Sequence, residues 1–489
     1  MVLIMSVKIA QALIEQLEQA IASMMVQYKI PGVSLACSVQ NEIIYSKGFG
    51  ARDLEQNLPV TPDTLFGFGS NSKSYTALAI MQLVEEGKLN VHDPVKKYVN
   101  FNLGKSNNPI TIHHLLSHSS GIPALGSGDE VLICRLDELD EYYIPMSSWN
   151  DFYTFVNGAT HELAADPGQK FAYLNEGYII LQDIVEKVSS MNYEDYIKDR
   201  ILKPLKMNRS TFLKEDLEKE TDVATCYFGE LENGEIKGVI PKVYPFHELI
   251  YGAGGLISSV NEQIHYLKMN MNGGEFEGNR LIDSKLLDEM HKIHIETELV
   301  SERVGDMGRE GYGYGWIILE DFFGHKIVVH SGNTMVSGAT LFFVDDLKIG
   351  IAMASNTNRA SPLLIGIPII MLTTLIGKNP LKDLPFLIID EKLNILTGVY
   401  ETYKGIHKLS IIKKGGLLYL EVENKKITFG GLAQGSSVPL IPASDNIEDY
   451  KFYIMTGSLA KMNIEFTVKS KGKVDLSLSE WVFHKVRDI

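Results

Sequence analysis

The 489-residue sequence predicts an α+β domain followed by a small all-β domain. Strand-like runs occur at both ends of the first 380 residues, with apolar helical segments between them, so the two ends are expected to pair in one sheet. After Pro380 the chain changes to short alternating strands joined by Gly, Lys and Asn turns. From Glu391 onward 14 basic and 11 acidic residues give a net charge of +3, whereas the rest carries −18. We therefore predict domains at residues 1–380 and 391–489.

The elements of the first domain follow in a clear order. Strands are predicted from Gly32 to Gln40 and in the segment after it. A helix begins near Ser70 and ends near Gly87, and further helices are predicted at Ile110–His118 and Asn175–Ser190. Short β-rich runs over residues 311–355 predict an antiparallel sheet, and the C-terminal strands predict a barrel or sandwich. Residues 128–153 are acidic and aromatic: they either roof a cleft and repel acidic substrates or, as we favour, form a solvated helix with an apolar inner face.

Composition excludes several classes of protein. The net charge of −15 argues against a nucleic-acid partner, because phosphate binding needs a basic surface. Cys37, Cys134 and Cys226 are far apart, which predicts neither a metal site nor a disulfide framework and favours a reducing compartment. The N-terminal segment lacks a basic region and a cleavage site and predicts an amphipathic helix. The apolar run 362–377 is interrupted by glycine and proline and predicts a core helix, so we expect a cytoplasmic protein without a membrane partner.

Ser70 and Lys73 are the first candidate catalytic pair. Ser-x-x-Lys spacing on a helix places both side chains on one face, where a neutral lysine can take the serine proton. The positive end of a helix favours neutral lysine, and the Ser70 N–H can help to bind an oxyanion. The spacing also occurs at Ser410, Ser458 and Ser470, which lie in predicted strands where side chains three apart point to opposite faces. Only Ser70 begins an apolar helix.

Two further motifs supply partners for this pair. Tyr173 and Asn175 lie on a turn before a helix, where a tyrosine near positive groups can have a lowered pKa and an amide can hold a substrate carbonyl. His330 and Gly332 end an apolar strand run, and a glycine there permits close approach of a ligand to the backbone. The Asn333 N–H can then face the Ser70 N–H across a substrate carbonyl. Taken alone, each motif has a plain structural alternative: a buried tyrosine with a helix cap, or a structural histidine.

The three motifs in this order resemble those of the serine β-lactamase, penicillin-binding protein and D-aminopeptidase superfamily, in its class C-like branch. The resemblance covers about residues 10–360 and includes the segments TPDTLFGFGSNSKSYTALAIMQLVEEGKLNVHDPVKKYV, ITIHHLLSHSSGIP and YGAGGLISSVNEQIHYL. It implies an antiparallel sheet flanked by helices, an all-α subdomain, and no metal or organic cofactor. His113, His114 and His118 are spaced like metal ligands, but their place in the His-Leu-Leu-Ser-His segment favours packing and turn formation.

The resemblance also implies roles for the site residues. Ser70 is the acylated nucleophile, Lys73 accepts its proton, and Tyr173, hydrogen-bonded to the lysine, relays the proton to the leaving group and later helps to activate water. Asn175 orients the substrate, and His330 and Gly332 contribute to substrate binding. The N–H groups of Ser70 and Asn333 form the oxyanion hole.

The sequence departs from the superfamily at the third motif. Penicillin-binding proteins and β-lactamases carry a lysine that attracts the substrate carboxylate, whereas here the position is His330, largely neutral at pH 7. His-x-Gly is similar to the motif of D-aminopeptidases and related esterases. The β-rich C-terminal domain resembles that of archaeal cytosolic serine peptidases, in which a lipocalin-like barrel assists assembly into an oligomer and substrates are peptides with D-residues.

We therefore expect a serine peptidase acting on small peptides, including D-amino-acid-containing ones, and a possible homo-oligomer. An esterase or class C-like β-lactamase is the alternative enzyme, because the same acylation chemistry accepts other acyl groups. A non-catalytic peptide- or cell-wall-binding protein is the alternative from another class. It predicts the loss of Ser70, Lys73 or Tyr173, and all three are present.

Overall fold

A computed structural model describes residues 11–105, 107–136, 146–232, 235–300, 308–422, 436–444, 446–455, 461–469 and 473–489. The chain forms two compact units, Met1–Leu372 and Thr373–Ile489. The first unit combines a large antiparallel sheet with helices, and the second is built mainly of strands. The predicted α+β fold followed by an all-β domain is confirmed.

In the first unit, one helix comes before the N-terminal strands of the sheet and the following helices lie between its N-terminal and C-terminal strands. These helices are α1 (Gln11–Tyr28), α2 (Ser72–Glu85), α3 (Ile112–Leu116), α4 (Ser127–Arg135), α5 (Trp149–Gly158), α6 (Asn175–Ser189), α7 (Tyr193–Ile197), α8 (Lys214–Leu217), α9 (Tyr251–Gly254), α10 (Val260–Met271) and α11 (Ser284–Met290). A further helix, α12 (Ser361–Leu375), follows the last strand of the sheet.

Strands from both ends of the first unit meet in one nine-stranded antiparallel sheet. Its members are β1 (Gly32–Val39), β2 (Glu42–Asp53), β3 (Leu58–Pro59), β12 (Ile295–Glu296), β13 (Glu310–Tyr312), β14 (Ile317–Phe322), β15 (His325–Asn333), β16 (Gly338–Val344) and β17 (Ile349–Ser355). Their order in the sheet is β12-β13-β14-β15-β16-β17-β1-β2-β3. Two-stranded pairs complete the unit: β4 (Phe66–Gly67) with β9 (Ile257–Ser258), β5 (Gly104–Lys105) with β6 (Asn108–Pro109), β7 (Cys226–Glu232) with β8 (Glu235–Lys242), and β10 (Glu275–Phe276) with β11 (Asn279–Arg280).

The strands at the centre of the large sheet are nearly continuous apolar runs because both of their faces are buried. Every residue of β16 and β17 is buried, so neither face of these strands meets water. The pairing of β1 with β17, which joins Val33 to Ser355, brings the two ends of the unit together as predicted.

The helices that carry the candidate residues begin and end close to their predicted bounds. Ser70 lies in a short 3-10 turn, Gly69–Asn71, that leads directly into α2. Helix α3 is shorter than predicted and ends at Leu116, because His118 adopts a left-handed backbone conformation with φ of +55°. Helix α6 begins at Asn175 as predicted.

The acidic, aromatic stretch 128–153 contributes to two helices, α4 and α5, and not to the single solvated helix that the sequence predicts. Phe152 and Tyr153 of α5 are buried, which agrees with an apolar inner face. The middle of the stretch, residues 137–145, lies outside the described residues, as does the part of the predicted N-terminal helix before Gln11.

The second unit is a near-closed barrel. Two helices, α13 (Pro380–Asp383) and α14 (Pro385–Leu396), precede its strands, which are β18 (Gly398–Glu401), β19 (Lys408–Lys414), β20 (Leu417–Val422), β21 (Ser437–Pro439), β22 (Ile441–Pro442), β23 (Lys451–Met455), β24 (Lys461–Val468), β25 (Val474–Leu478) and β26 (Trp481–Arg487). The sheet order is β21-β20-β19-β18-β26-β25-β24-β23-β22. Its two ends, β21 and β22, are separated only by Leu440, so one chain segment joins both edges. Leu393 and Leu396 of α14 belong to the core of this unit.

The apolar run 362–377 forms α12, with Pro368 inside the helix. Among the described residues, the window Asn358–Leu375 is long and apolar enough to cross a membrane by length and composition alone. Of this window, 61% is buried inside the protein, as is common for a core helix.

Candidate active site

The structure brings Ser70 and Lys73 into hydrogen-bond contact at the start of α2. The Nζ of Lys73 lies 3.0 Å from the Ser70 Oγ, 2.8 Å from the Asn175 Oδ1 and 2.7 Å from the Ala253 carbonyl oxygen. In the neutral form, the two remaining N–H groups can donate to Asn175 and Ala253 while the lone pair faces the Ser70 hydroxyl. This arrangement suits proton transfer from Ser70 to Lys73.

The environment of Lys73 favours this neutral form. The side chain is fully buried, and burial lowers the pKa of Lys73 from 10.5 to about 7, although the negative charges of Glu176 and Asp129 raise it in part. Glu176 is itself buried and accepts hydrogen bonds from the N–H and the hydroxyl of Ser127. A base with a pKa near the working pH is the most effective for general-base chemistry.

Tyr173 lies beside the pair, but its pKa shifts opposite to the expectation. The Nζ of Lys73 is 4.9 Å from the centre of the Tyr173 ring. Among the described residues, the Lys73 amine forms its hydrogen bonds with Ser70, Asn175 and the Ala253 carbonyl. Burial raises the pKa of Tyr173 above its usual value, and the nearby Ser70 hydroxyl offsets this only in part. The sequence expectation of a lowered pKa is therefore wrong, because desolvation outweighs the Ser70 hydrogen bond and the negative charge of Asp129 also raises the pKa. Tyr173 is a neutral phenol at pH 7 and can donate a proton.

His118 accepts hydrogen bonds from the two residues that flank Tyr173 in the chain. Its backbone carbonyl accepts a hydrogen bond from Ala172 N–H at 2.8 Å, and its Nδ1 accepts one from Leu174 N–H at 3.0 Å. The two rings of His118 and Tyr173 lie 4.3 Å apart. The expectation that this histidine fixes a turn is confirmed, whereas His113 instead bonds to the Tyr314 hydroxyl at 2.7 Å. Among the described residues, no group of histidine, cysteine and acidic side chains could hold a metal ion.

Replacement of His118 tests its positioning role. We expect His118→Ala to lower kcat by about 10-fold to 100-fold, because Leu174 N–H loses its acceptor and the Tyr173 ring loses its packing partner, while only the backbone contact to Ala172 remains. His118→Asn should recover part of this loss, since asparagine tolerates a positive φ and offers an acceptor. Steady-state kinetics and thermal unfolding are measured on the wild type and both variants. If both variants keep the kcat of the wild type and only their Tm changes, His118 acts on stability alone.

His330 is buried and neutral. Its Nδ1 lies 2.8 Å from the Ser331 carbonyl oxygen and its Nε2 lies 3.0 Å from the Tyr312 hydroxyl. Because a carbonyl only accepts, Nδ1 carries the proton and Nε2 accepts from Tyr312. Burial, with the nearby charge of Lys73, lowers the pKa of His330 to about 3. A cationic anchor for a carboxylate is therefore not formed by this residue at pH 7.

Gly332 approaches the backbone of this chain at Ser70. A Cβ on Gly332 would lie 2.0 Å from the Phe68 carbonyl oxygen and 2.6 Å from the Ser70 nitrogen. A Cβ on Gly69 would lie 2.6 Å from the Asn333 nitrogen. The backbone nitrogens of Ser70 and Asn333 thus come from two segments that touch, which is the placement that the oxyanion-hole prediction requires.

These residues open onto a cavity of about 450 Å³. Ser70, Tyr173, Asn175 and Asp129 line its polar part, together with His330 and the backbone that follows it. The rest of the wall is mostly apolar, with the hydroxyl residues Thr340 and Ser361, and its apolar residues are Leu299, Val300, Ile317, Val329, Ala339, Phe342, Leu364 and Ile365. Such a cavity matches an acyl substrate with a bulky apolar group.

Sequence reasoning missed the Ala253 carbonyl, Glu176 and Asp129. Ala253 belongs to a glycine-rich segment, and a Cβ on Gly252 would lie 2.7 Å from the Gln182 Cβ and 2.9 Å from the Tyr178 carbonyl oxygen. The glycine therefore lets α9 approach α6 closely enough for the Ala253 carbonyl to reach Lys73. The segment was noted in the sequence, but its contact with Lys73 depends on the fold.

Comparison with known proteins decides the family. Residues 17–368 match the Beta-lactamase family model, and residues 380–484 match the model of the Pab87 octamerisation domain. The chain belongs to the beta-lactamase family. The predicted resemblance to serine β-lactamases and penicillin-binding proteins is thereby confirmed.

Relatives of the beta-lactamase family resemble the chain to different extents. The octameric penicillin-binding protein homologue from Pyrococcus abyssi is 37% identical with a TM-score of 0.82, covering 96% of this chain and all of that one. Protein flp of Staphylococcus aureus strain MW2 is 28% identical over 67% of this chain, and the match spans only 60% of flp. Penicillin-binding protein 4* of Bacillus subtilis is 22% identical, over 87% of this chain and 88% of that protein. A class C β-lactamase mutant, at 20% identity and a TM-score of 0.57 over 72% of this chain and 96% of that one, shows the fold alone.

Proposed function

We propose that the protein is a serine hydrolase that forms an acyl-enzyme on Ser70, with Lys73 as base and Tyr173 as proton relay. The observation that carries this proposal is the 3.0 Å contact between the Ser70 Oγ and the buried Lys73 amine. Membership of a family of serine hydrolases supports it.

Acylation follows from these contacts. The Ser70 hydroxyl proton passes to Lys73 as the Oγ attacks the substrate carbonyl carbon. The oxyanion accepts hydrogen bonds from the backbone N–H groups of Ser70 and Asn333. As the tetrahedral intermediate collapses, the Tyr173 phenol gives its proton to the leaving amine or alcohol and regains one from Lys73. Water then attacks the acyl-enzyme with the same groups in reverse.

Small peptides, including D-amino-acid-containing ones, are the proposed substrates. Neutral His330 in place of a lysine supports a site that does not demand a substrate carboxylate. The second candidate is an esterase or β-lactamase. The apolar wall of the cavity favours it, because an uncharged ester or lactam side group would also fit there.

Product analysis by mass spectrometry tests the proposal on D-alanine-containing peptides with free, amine-blocked or carboxyl-blocked ends. We expect the wild type to cleave at least one peptide and Ser70→Ala to cleave none, since the nucleophile is gone. With a neutral aryl ester, the wild type should gain the mass of the acyl group and the variant should not. Ester turnover without peptide cleavage would favour the esterase alternative, and no turnover of ester, lactam or peptide would refute the proposal.

We also propose a cytoplasmic homo-oligomer without a nucleic-acid or membrane partner. The match to an octamerisation domain and the octameric Pyrococcus homologue support the oligomer. Exposed apolar side chains of the second unit, Tyr403, Ile406, Val482 and Val486, offer surface that such an assembly could bury.

A further inference from the structure

Contacts between the first residues of α4 and α6 place Asp129 in the cavity that Ser70 lines. Ser127 binds the buried Glu176 carboxylate through its N–H at 2.8 Å and its hydroxyl at 2.6 Å. A Cβ on Gly128 would lie 3.0 Å from the Asn175 Cβ. The first residues of α4 are therefore packed on the first residues of α6, and Asp129, the next residue, lines the same cavity as Ser70.

The charge of Asp129 is uncompensated within the cavity. Among the described residues lining it, Asp129 is the only carboxylate, and none is a lysine or an arginine. In the part of the chain that the structure describes, its carboxylate makes no hydrogen bond or ion pair, although it interacts at longer range with Lys73 and Glu176. Lys73 is buried and its amine is already in contact with Ser70, Asn175 and the Ala253 carbonyl, so it does not neutralise Asp129 by contact. The cavity thus presents one exposed negative group and an apolar wall.

We propose that Asp129 binds the ammonium group of the substrate, so that the site selects peptides or amino-acid esters carrying a free amine next to a bulky apolar side chain. This inference rests on the proposed acyl-enzyme function of Ser70. Because Asp129 and Ser70 line the same cavity, such a substrate can pair its ammonium group with Asp129 and present the adjacent carbonyl to Ser70, while its side chain packs on the apolar wall that includes Phe342, Leu364 and Ile365.

A matched pair of substrates tests this, namely one apolar dipeptide with a free amine and the same dipeptide N-acetylated. The readout is the ratio of kcat/KM between the two, measured for the wild type, Asp129→Asn and Asp288→Asn. Asp288 lies exposed on α11, so its replacement changes the net charge equally. We expect the wild type and Asp288→Asn to prefer the free amine by about 10-fold to 100-fold, as for a hydrogen bond between charged groups, and Asp129→Asn to lose that preference, chiefly through KM.

The outcomes separate this inference from the function on which it rests. A wild type without preference, or an unchanged ratio in Asp129→Asn, overturns the role of Asp129. An equal loss on both substrates also overturns it, because the effect would then pass through Lys73. Turnover of a neutral aryl ester is measured in parallel. If the wild type turns over the ester but shows no preference for the free amine, the Ser70 mechanism stands and only the role of Asp129 is overturned. If the wild type turns over none of the substrates, the Ser70 mechanism and the role of Asp129 are both overturned.

Discussion

Lys73→Met is expected to lower kcat/KM by about 1,000-fold or more, because methionine offers no base for the Ser70 proton. Methionine has a similar unbranched shape and remains compatible with the buried position. Steady-state kinetics on a neutral aryl ester measures the loss, and intact-mass analysis shows whether an acyl-enzyme still forms. Retention of more than a tenth of the wild-type rate would exclude Lys73 as the base.

The control for this variant is its stability. In the wild type the buried amine costs free energy below its folded pKa of about 7, and this cost fades as the pH rises toward the ordinary value of 10.5. Methionine removes the cost but leaves Asn175 and the Ala253 carbonyl without their donor. The two effects oppose each other, so we expect a Tm close to that of the wild type, and the kinetic loss is then chemical.

The same pKa predicts the acid limb of the pH profile. Lys73 must be neutral to act, so kcat/KM of the wild type should rise tenfold per pH unit below about 7 and level off above it. A neutral ester keeps substrate titration out of the profile. His330, whose pKa is lowered to about 3, and Tyr173, whose pKa is raised, do not titrate in this range. A midpoint near 4 would indicate a carboxylate base instead.

The sequence predicted what depends on short segments of chain. The Ser-x-x-Lys turn, the start of α6 at Asn175 and the strand that ends at Gly332 and Asn333 are local patterns, and the structure brings all of them around one cavity. The strand assignment of Ser410, which set aside its Ser-x-x-Lys spacing, is confirmed by β19. The other two copies, beginning at Ser458 and Ser470, begin outside the described residues.

What the sequence could not supply depends on burial and on contacts between distant segments. The direction of the Tyr173 pKa follows from desolvation, which no local pattern reveals. The Ala253 carbonyl reaches Lys73 across 180 residues of sequence. Asp129 belongs to a stretch interpreted as a solvated helix, and only its contact with the start of α6 places it in the cavity. Gly332 was assigned to ligand approach, whereas its immediate neighbour is the Phe68–Ser70 backbone.

Gly332→Ala is expected to lower both activity and stability. The added Cβ would lie 2.0 Å from the Phe68 carbonyl oxygen, 2.6 Å from the Ser70 nitrogen and 2.9 Å from the Gly69 carbonyl carbon. These are backbone atoms, which cannot turn aside as a flexible side chain can. Relief requires β15 and the Ser70 turn to separate, at a cost of about 1–3 kcal/mol in unfolding free energy. A displacement of Ser70 by about 1 Å is enough to lower kcat by about 100-fold.

Gly158→Ala is the matched control, because it adds the same methyl group where no heavy atom lies within 4 Å. Gly158 is the exposed last residue of α5, so alanine there should leave kcat unchanged and alter the Tm little. Chemical denaturation and ester turnover are measured on both variants. If Gly332→Ala keeps wild-type kcat, the close contact between β15 and the Ser70 turn is not needed for the reaction. If kcat falls while the unfolding free energy stays the same, the contact serves to position the Ser70 and Asn333 N–H groups rather than to hold the sheet together.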